Sequence, residues 1–192
     1  HYVTRSEYKL KTNASFIAKL HDEFGEFYLV PEVGGNNLGV KGCVDIVNEI
    51  EIIFDAIVTD CGTGATLAGI VSALKESQKA IGIPVLKGGD FIKDEVKEFI
   101  GNSFENKYDL ALNYHFGGYA KSKPELIDFM RSFYQETEIK TDPVYTGKLF
   151  YGVIDLVKQD YFKPGSKIVV VHTGGLQGIE GFEKRFGIKI FQ

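Results

Sequence analysis

The chain has 192 residues, enough for one sizeable core or for one domain with part of another. An aromatic content of 13% fits a packed globular protein, and a formal net charge of −4 gives no electrostatic case for binding nucleic acid or an anionic membrane. No apolar run approaches ~20 residues, the length needed to span a bilayer. The two cysteines, Cys43 and Cys61, stand in no metal-ligand spacing; they propose no metal site and fit a reduced cytoplasmic compartment.

The chain opens HYVTRSEYK, without an initiator Met or a signal peptide, so an N-terminal portion is expected to be missing. A helix is expected over 15–24 and a strand at FYLVPE (27–32). The turn GGNNLG (34–39) leads into a helix over 40–49; Asn36 and Asn37 either line a cleft or act as ordinary turn residues. Phe54–Val58 is short and partly β-branched, which suits a buried strand. After CGTGAT, the positions Leu67, Ile70, Val71 and Leu74 follow helical spacing, predicting a helix over 65–79. A strand is expected in IGIPVLKGG (81–89), then a helix over 91–104 whose alternating charges read as a solvated face. The first half of YDLALNYHFGGYAK (108–121) reads as a strand. The helix over 124–134 carries a core stripe of Leu126, Phe129, Met130 and Phe133. DPVYTGK (142–148) starts a helix whose apolar side is expected to continue through Tyr151, Ile154 and Val157. SKIVVVHTGG (166–175) is an apolar strand running into glycines. This alternation implies an α/β fold, an open and mainly parallel sheet with helices on both faces.

The glycine clusters GGNN, CGTG, KGG, FGGY and HTGG mostly follow the C-terminal ends of expected strands, the edge where open α/β sheets bind ligands. In CGTGAT, Gly62 and Gly64 permit a sharp turn and a close approach to the backbone. The amides that open the following helix have no internal partner and sit at its positive pole, so this corner suits a phosphate. It is neither a G-x-G-x-x-G dinucleotide fingerprint, since Leu67 stands at the third glycine, nor a Walker A loop. Together the turns describe a cleft for a flat, phosphorylated molecule.

CGTGATLAG, HFGGYAK, TDPVYTGK and VVVHTGG, taken in order, resemble the 1-aminocyclopropane-1-carboxylate deaminase and D-cysteine desulfhydrase family. The resemblance runs from PEVGGNNLGVKG to the C-terminus. It implies fold type II of the pyridoxal-phosphate enzymes, the tryptophan synthase β-subunit type, with pyridoxal phosphate as cofactor and a small amino acid as substrate. It also implies a homodimer for the intact protein. By the same resemblance, Thr63, Gly64, Ala65 and Thr66 receive the cofactor phosphate, and Tyr145 stacks at the cofactor ring and moves protons. Thr146 faces the pyridine nitrogen. Tyr119 matches a second active-site tyrosine, serving as acid or base, or else simply buried with its hydroxyl satisfied. Thr173 stands where the deaminases proper tend to have Leu, and Thr146 where they carry Glu. Both positions lean toward the desulfhydrase side, with a hydroxyl expected to donate to a largely neutral ring. His115 and His172 are read as structural, Cys43 as packing on a helix, and Cys61 as a small residue beside the phosphate.

One family feature is missing. The lysine that binds the cofactor as a Schiff base lies, in that family, in a Gly-Gly-Asn-Lys segment, with a Ser-Asn-His segment after it. Here GGNN has no adjoining lysine; Lys41 sits on the next helix, and Lys87 and Lys148 fall in other motifs. The chain is therefore expected to be a C-terminal part: residues 1–30 a remnant of the smaller domain, and 31–192 the large cofactor-binding domain, incomplete at its start. The leading expectation is a deaminase or lyase releasing ammonia and a 2-oxo acid, inactive as these 192 residues alone. The alternatives are a non-catalytic module holding a phosphorylated ligand and a nucleotide-binding domain.

Overall fold

In the computed structural model, residues 2–30 and 35–191 are described. The chain divides into two units, His1–Glu32 and Val33–Gln192. In the first, α1 (Arg5–Tyr8) starts in a capping box between Thr4 and Glu7, and α2 (Ala14–Phe24) starts on the side chain of Asn13 and ends at Gly25. Neither helix buries a residue. The strand expected at 27–32 does not form over 27–30, and 31–32 lie outside the described residues.

The second unit is built on four parallel strands, β1 (Ala56–Cys61), β2 (Lys79–Pro84), β3 (Tyr108–Leu110) and β4 (Ile168–Val170), in the order β3-β2-β1-β4. Its helices are α3 (Asn37–Asn48), α4 (Ala65–Ala73), α5 (Ile92–Ile100), α6 (Pro124–Thr137), α7 (Thr146–Lys158) and α8 (Gly178–Phe186). Alternation along β1 sends Ile57 and Cys61 into a core with α3, α4 and α5, and Ala56 and Val58 into a second core with α6, α7 and α8. Helices thus cover both faces of the sheet, and every residue of β1 is buried.

Several boundaries differ from the sequence pattern, each for a local reason. β1 runs on to Cys61 because it stays paired with β2 as far as Pro84. α4 stops at Ala73, where Leu74 turns extended; the buried Gln78 side chain accepts from the Lys75 amide (2.9 Å) and donates to the Phe54 carbonyl (3.3 Å), closing the turn into β2. The helix expected over 91–104 ends at Ile100, where Gly101 takes φ +77°. α7 buries Leu149, Val153 and Leu156; Ile154 and Val157, expected on the apolar side, are exposed. The face is set by Gly152, where a Cβ would stand 2.7 Å from Ile83 and 3.0 Å from the Tyr114 ring. α8, which the pattern did not anticipate, buries Phe182. Cys43 does pack on a helix: a Cβ on Gly69 of α4 would lie 2.5 Å from Cys43 Cβ and 2.4 Å from the Val40 carbonyl, so α3 and α4 meet at van der Waals limit there.

Among the described residues no helix is long and apolar enough to cross a membrane, and no group of three or more His, Cys, Asp or Glu is placed to hold a metal ion.

Candidate active site

The C-terminal edge of the sheet gathers three turns around a cavity of about 290 Å³. The first is the corner between β1 and α4. Gly64 caps α4 in the left-handed region (φ +83°) and offers no side chain to bond the helix's first amides. A Cβ there would also press on Ile92 and Val96 at 3.2 Å, so glycine satisfies both conformation and space. Gly62, Thr63, Gly64 and Thr66 line this wall of the cavity. An anion placed here meets uncapped amides at a helix's positive pole. Cys61 lies behind, buried, its thiol pushed well up by burial and inert as a nucleophile.

The second turn is TDPVYT, organised by Asp142, which is 2% exposed. One carboxylate oxygen accepts from the amides of Val144 (2.8 Å) and Tyr145 (2.9 Å). The other accepts from the amide and the hydroxyl of Thr146, both at 2.8 Å, while the Thr146 hydroxyl accepts from the Asp142 amide, also at 2.8 Å. This closed ring starts α7 and fixes Tyr145, whose ring lies 3.6 Å from where a Cβ on Gly62 would stand. Burial, the Tyr119 hydroxyl and the charges of Asp60 and Asp142 push the Tyr145 phenol upward, so it holds its proton at neutral pH.

The third turn is HTGG after β4. His172 donates to the Lys140 carbonyl (2.8 Å) and accepts from the Gly174 amide (3.1 Å), tying this turn to the second. β1 and β4 pair in parallel as far as Val58 and Val170, and just beyond that pairing Asp60 and Thr173 meet at the sheet edge. The Thr173 hydroxyl donates to Asp60 Oδ1 at 2.8 Å. Burial, opposed by that hydrogen bond and reinforced by Asp142, pushes the Asp60 carboxyl up to about 6.

Of the residues expected from the sequence, Thr63, Gly64, Thr66, Tyr145 and Thr173 share the cavity wall. Ala65 is buried in the first turn of α4, and Thr146 is fully buried below Tyr145 with its hydrogen committed to Asp142. Tyr119 is 56% exposed, not buried; its ring meets that of Tyr145 edge-on with centroids 6.0 Å apart. Asn36 caps α3 by accepting from the Gly39 amide at 2.8 Å, an ordinary turn role, and Gly34 of that turn lies outside the described residues. His115 likewise serves a turn, accepting from the Gly117 amide at 2.9 Å.

Three residues were given no site role by the sequence reading. Asp60 was signalled only by an acid inside the apolar run AIVTDC, and Asp142 by an Asp-Pro pair four residues before a helix-starting threonine. Lys148, on the first turn of α7, is fully buried and donates to the carbonyls of Gly118 (2.8 Å) and Val85 (3.2 Å); nothing in its spacing marks it.

The walls suit a phosphorylated aromatic molecule: they bring together an uncapped helix start, an aromatic ring and a hydroxyl backed by a carboxylate. The cavity is near the lower end of ligand-pocket volumes. The family model described as pyridoxal-phosphate dependent enzyme matches residues 2–174. A Pyrococcus horikoshii protein provisionally named 1-aminocyclopropane-1-carboxylate deaminase is 35% identical over 192 aligned residues, covering 92% of this chain and 58% of that protein. The mitochondrial bifunctional D-cysteine desulfhydrase/1-aminocyclopropane-1-carboxylate deaminase of Arabidopsis thaliana is 33% identical, covering 93% and 50%. A crystal structure of an ACC deaminase homologue superposes with a TM-score of 0.78 at 30% identity, covering 96% of this chain and 60% of that one. The chain thus spans between half and three-fifths of these relatives' lengths.

Proposed function

The chain belongs to the pyridoxal-phosphate-dependent enzyme family, in its 1-aminocyclopropane-1-carboxylate deaminase and D-cysteine desulfhydrase branch, and from that premise we propose that the whole protein deaminates a small amino acid, releasing ammonia and a 2-oxo acid. The observation that carries this reading is the uncapped start of α4 opening into a cavity that Tyr145 and Thr173 also line.

In this proposal Thr63, Gly64, Ala65 and Thr66 hold the cofactor phosphate by backbone amides and a threonine hydroxyl. Bound pyridoxal phosphate would supply the electron sink, taking up the electrons left by α-proton loss from D-cysteine or, for the cyclopropane amino acid, whose α-carbon bears no hydrogen, those released on ring opening. Tyr145 flanks the ring and, keeping its proton, acts as a donor; Tyr119, at the exposed side, partners it. Thr146 supports the site from below by closing the Asp142 turn. Residues 1–30 are read as a remnant of a smaller domain and 31–192 as the large cofactor domain. Lysine is absent from the cavity lining, and the buried Lys148 is turned to the Val85 and Gly118 carbonyls. The anchoring lysine is therefore proposed to come from outside these 192 residues, which alone should turn over no amino acid.

Both threonine hydroxyls give their hydrogens to carboxylates, which removes the reason, drawn from a neutral ring, for ranking D-cysteine above the cyclopropane amino acid. The test is to reconstitute the protein, expressed from its complete reading frame, with pyridoxal phosphate and measure ammonia and 2-oxo acid from each compound. Release from either supports the reading. Cofactor uptake without release from any small amino acid would favour a binding module.

A further inference from the structure

The cavity wall carries polar groups of two kinds. The helix start offers amide hydrogens. The Thr173 hydroxyl, also on the wall, is bonded to Asp60, a lining residue only 7% exposed near the end of β1. A threonine hydroxyl has one hydrogen to give. Here it is given to Asp60 Oδ1 at 2.8 Å, so toward the cavity Thr173 can offer only lone pairs. The neighbouring Thr146 cannot take its place: it is fully buried, and its hydroxyl both donates to and accepts from Asp142.

Besides its phosphate, pyridoxal phosphate presents a ring nitrogen, a 3-hydroxyl and a 4-formyl group, and in the pose taken here the nitrogen faces Thr173. A neutral nitrogen needs a donor; a protonated one needs an acceptor. The direction of the Thr173 hydrogen decides between them. Resting on the functional reading above, we propose that Asp60 is a positioning residue which, through the Thr173 hydroxyl, makes this wall an acceptor for a protonated cofactor ring nitrogen. The ring proton comes from solvent, and the buried carboxylate supplies the compensating negative charge one hydroxyl away. A direct carboxylate partner is thereby replaced by a carboxylate acting through a threonine. The surroundings are consistent: Asp142 adds negative charge behind Asp60, His172 is the imidazole close to it, and the Tyr145 phenol stays neutral. A protonated ring withdraws electrons more strongly than a neutral one, so the device bears on which carbanions the site can stabilise.

The experiment reads the nitrogen resonance of isotope-labelled pyridoxal phosphate bound to the protein expressed from its complete reading frame. The wild type should show a protonated ring nitrogen. Asp60→Asn should shift the resonance to the unprotonated position, because the amide leaves the hydroxyl free to turn its hydrogen into the cavity. Thr173→Val should lose the protonated signal, and Thr173→Ser should restore it, which separates the hydroxyl of residue 173 from its bulk. Should Asp60→Asn fail to fold, the valine and serine pair decides alone. An unprotonated ring in the wild type, or a resonance unmoved in Asp60→Asn or in Thr173→Val, overturns the inference while leaving the functional reading intact. Failure of the wild type to bind the cofactor overturns both.

Discussion

Replacing Lys148 with Met isolates the one buried lysine that ties the FGGY loop to the sheet. Its Nζ donates to the Gly118 carbonyl at 2.8 Å and the Val85 carbonyl at 3.2 Å, bridging the loop to the segment just after β2. The loop is strained: Phe116 and Ala120 both take φ +50°, where a non-glycine residue costs about 1–2 kcal/mol each. A charged hydrogen bond contributes roughly 1.5–3 kcal/mol, partly offset by the desolvation that pulls Lys148 down to about 8. Taking about 2 kcal/mol net for the anchor, Lys148→Met should open the loop roughly 30-fold more often. Methionine keeps the length and apolar bulk, so the core around α7 stays filled. Hydrogen exchange followed by mass spectrometry should show lost protection in the peptide covering 114–122, with β1 and α4 unchanged. Linkage adds a second readout. Between about pH 8 and 10.5 the unfolded chain binds the proton that the folded lysine has lost, so wild-type stability rises with pH there; the methionine variant lacks that component. Unchanged exchange in the loop, or an equal loss across the whole domain, would refute the anchoring role.

Gly69→Ala should destabilise the fold by about 1–3 kcal/mol in urea denaturation, because its Cβ would enter 2.4 Å from the Val40 carbonyl and force α3 from α4. Gly64→Ala should weaken binding of pyridoxal phosphate roughly tenfold by titration, since the left-handed cap costs about 1–2 kcal/mol and the methyl meets Ile92 and Val96. For Asp60, the folded carboxyl titrates near 6, above its unfolded value, so the folded state holds the extra proton and stability falls as pH rises from about 4 to 6. Asp60→Asn removes that slope, and its thermal midpoint should gain on the wild type toward pH 7, by the equivalent of about 3 kcal/mol.

The order of strands and helices was legible because β1, β2 and the helices around them carry clean apolar periods and glycine punctuation. The glycine corner between β1 and α4 was legible as a strand-to-helix turn, since Gly62 and Gly64 fall between a short apolar run and a period of 3.6. What the pattern hid was contact between distant segments. Which face α7 buries depends on Gly152 meeting Ile83 and Tyr114, and no one-dimensional period records such a meeting. The expected strand at 27–32 had β-branched and aromatic content but shows no partner strand over 27–30, and propensity without pairing makes no strand. Thr146 and Thr173 were picked out by the resemblance, but the sequence showed neither that Thr173 lines the cavity while Thr146 is fully buried nor the direction of their hydrogens. That direction follows from Asp142, four residues away, and from Asp60, 113 residues away.

A crystal structure of the protein, expressed from its complete reading frame and grown with pyridoxal phosphate, tests the central claim most directly. The account expects the phosphate on the amides and hydroxyl of 63–66 at the start of α4, with the ring alongside Tyr145 and its nitrogen toward Thr173. A phosphate seated away from that helix start, or a ring whose nitrogen points away from Thr173, would contradict it.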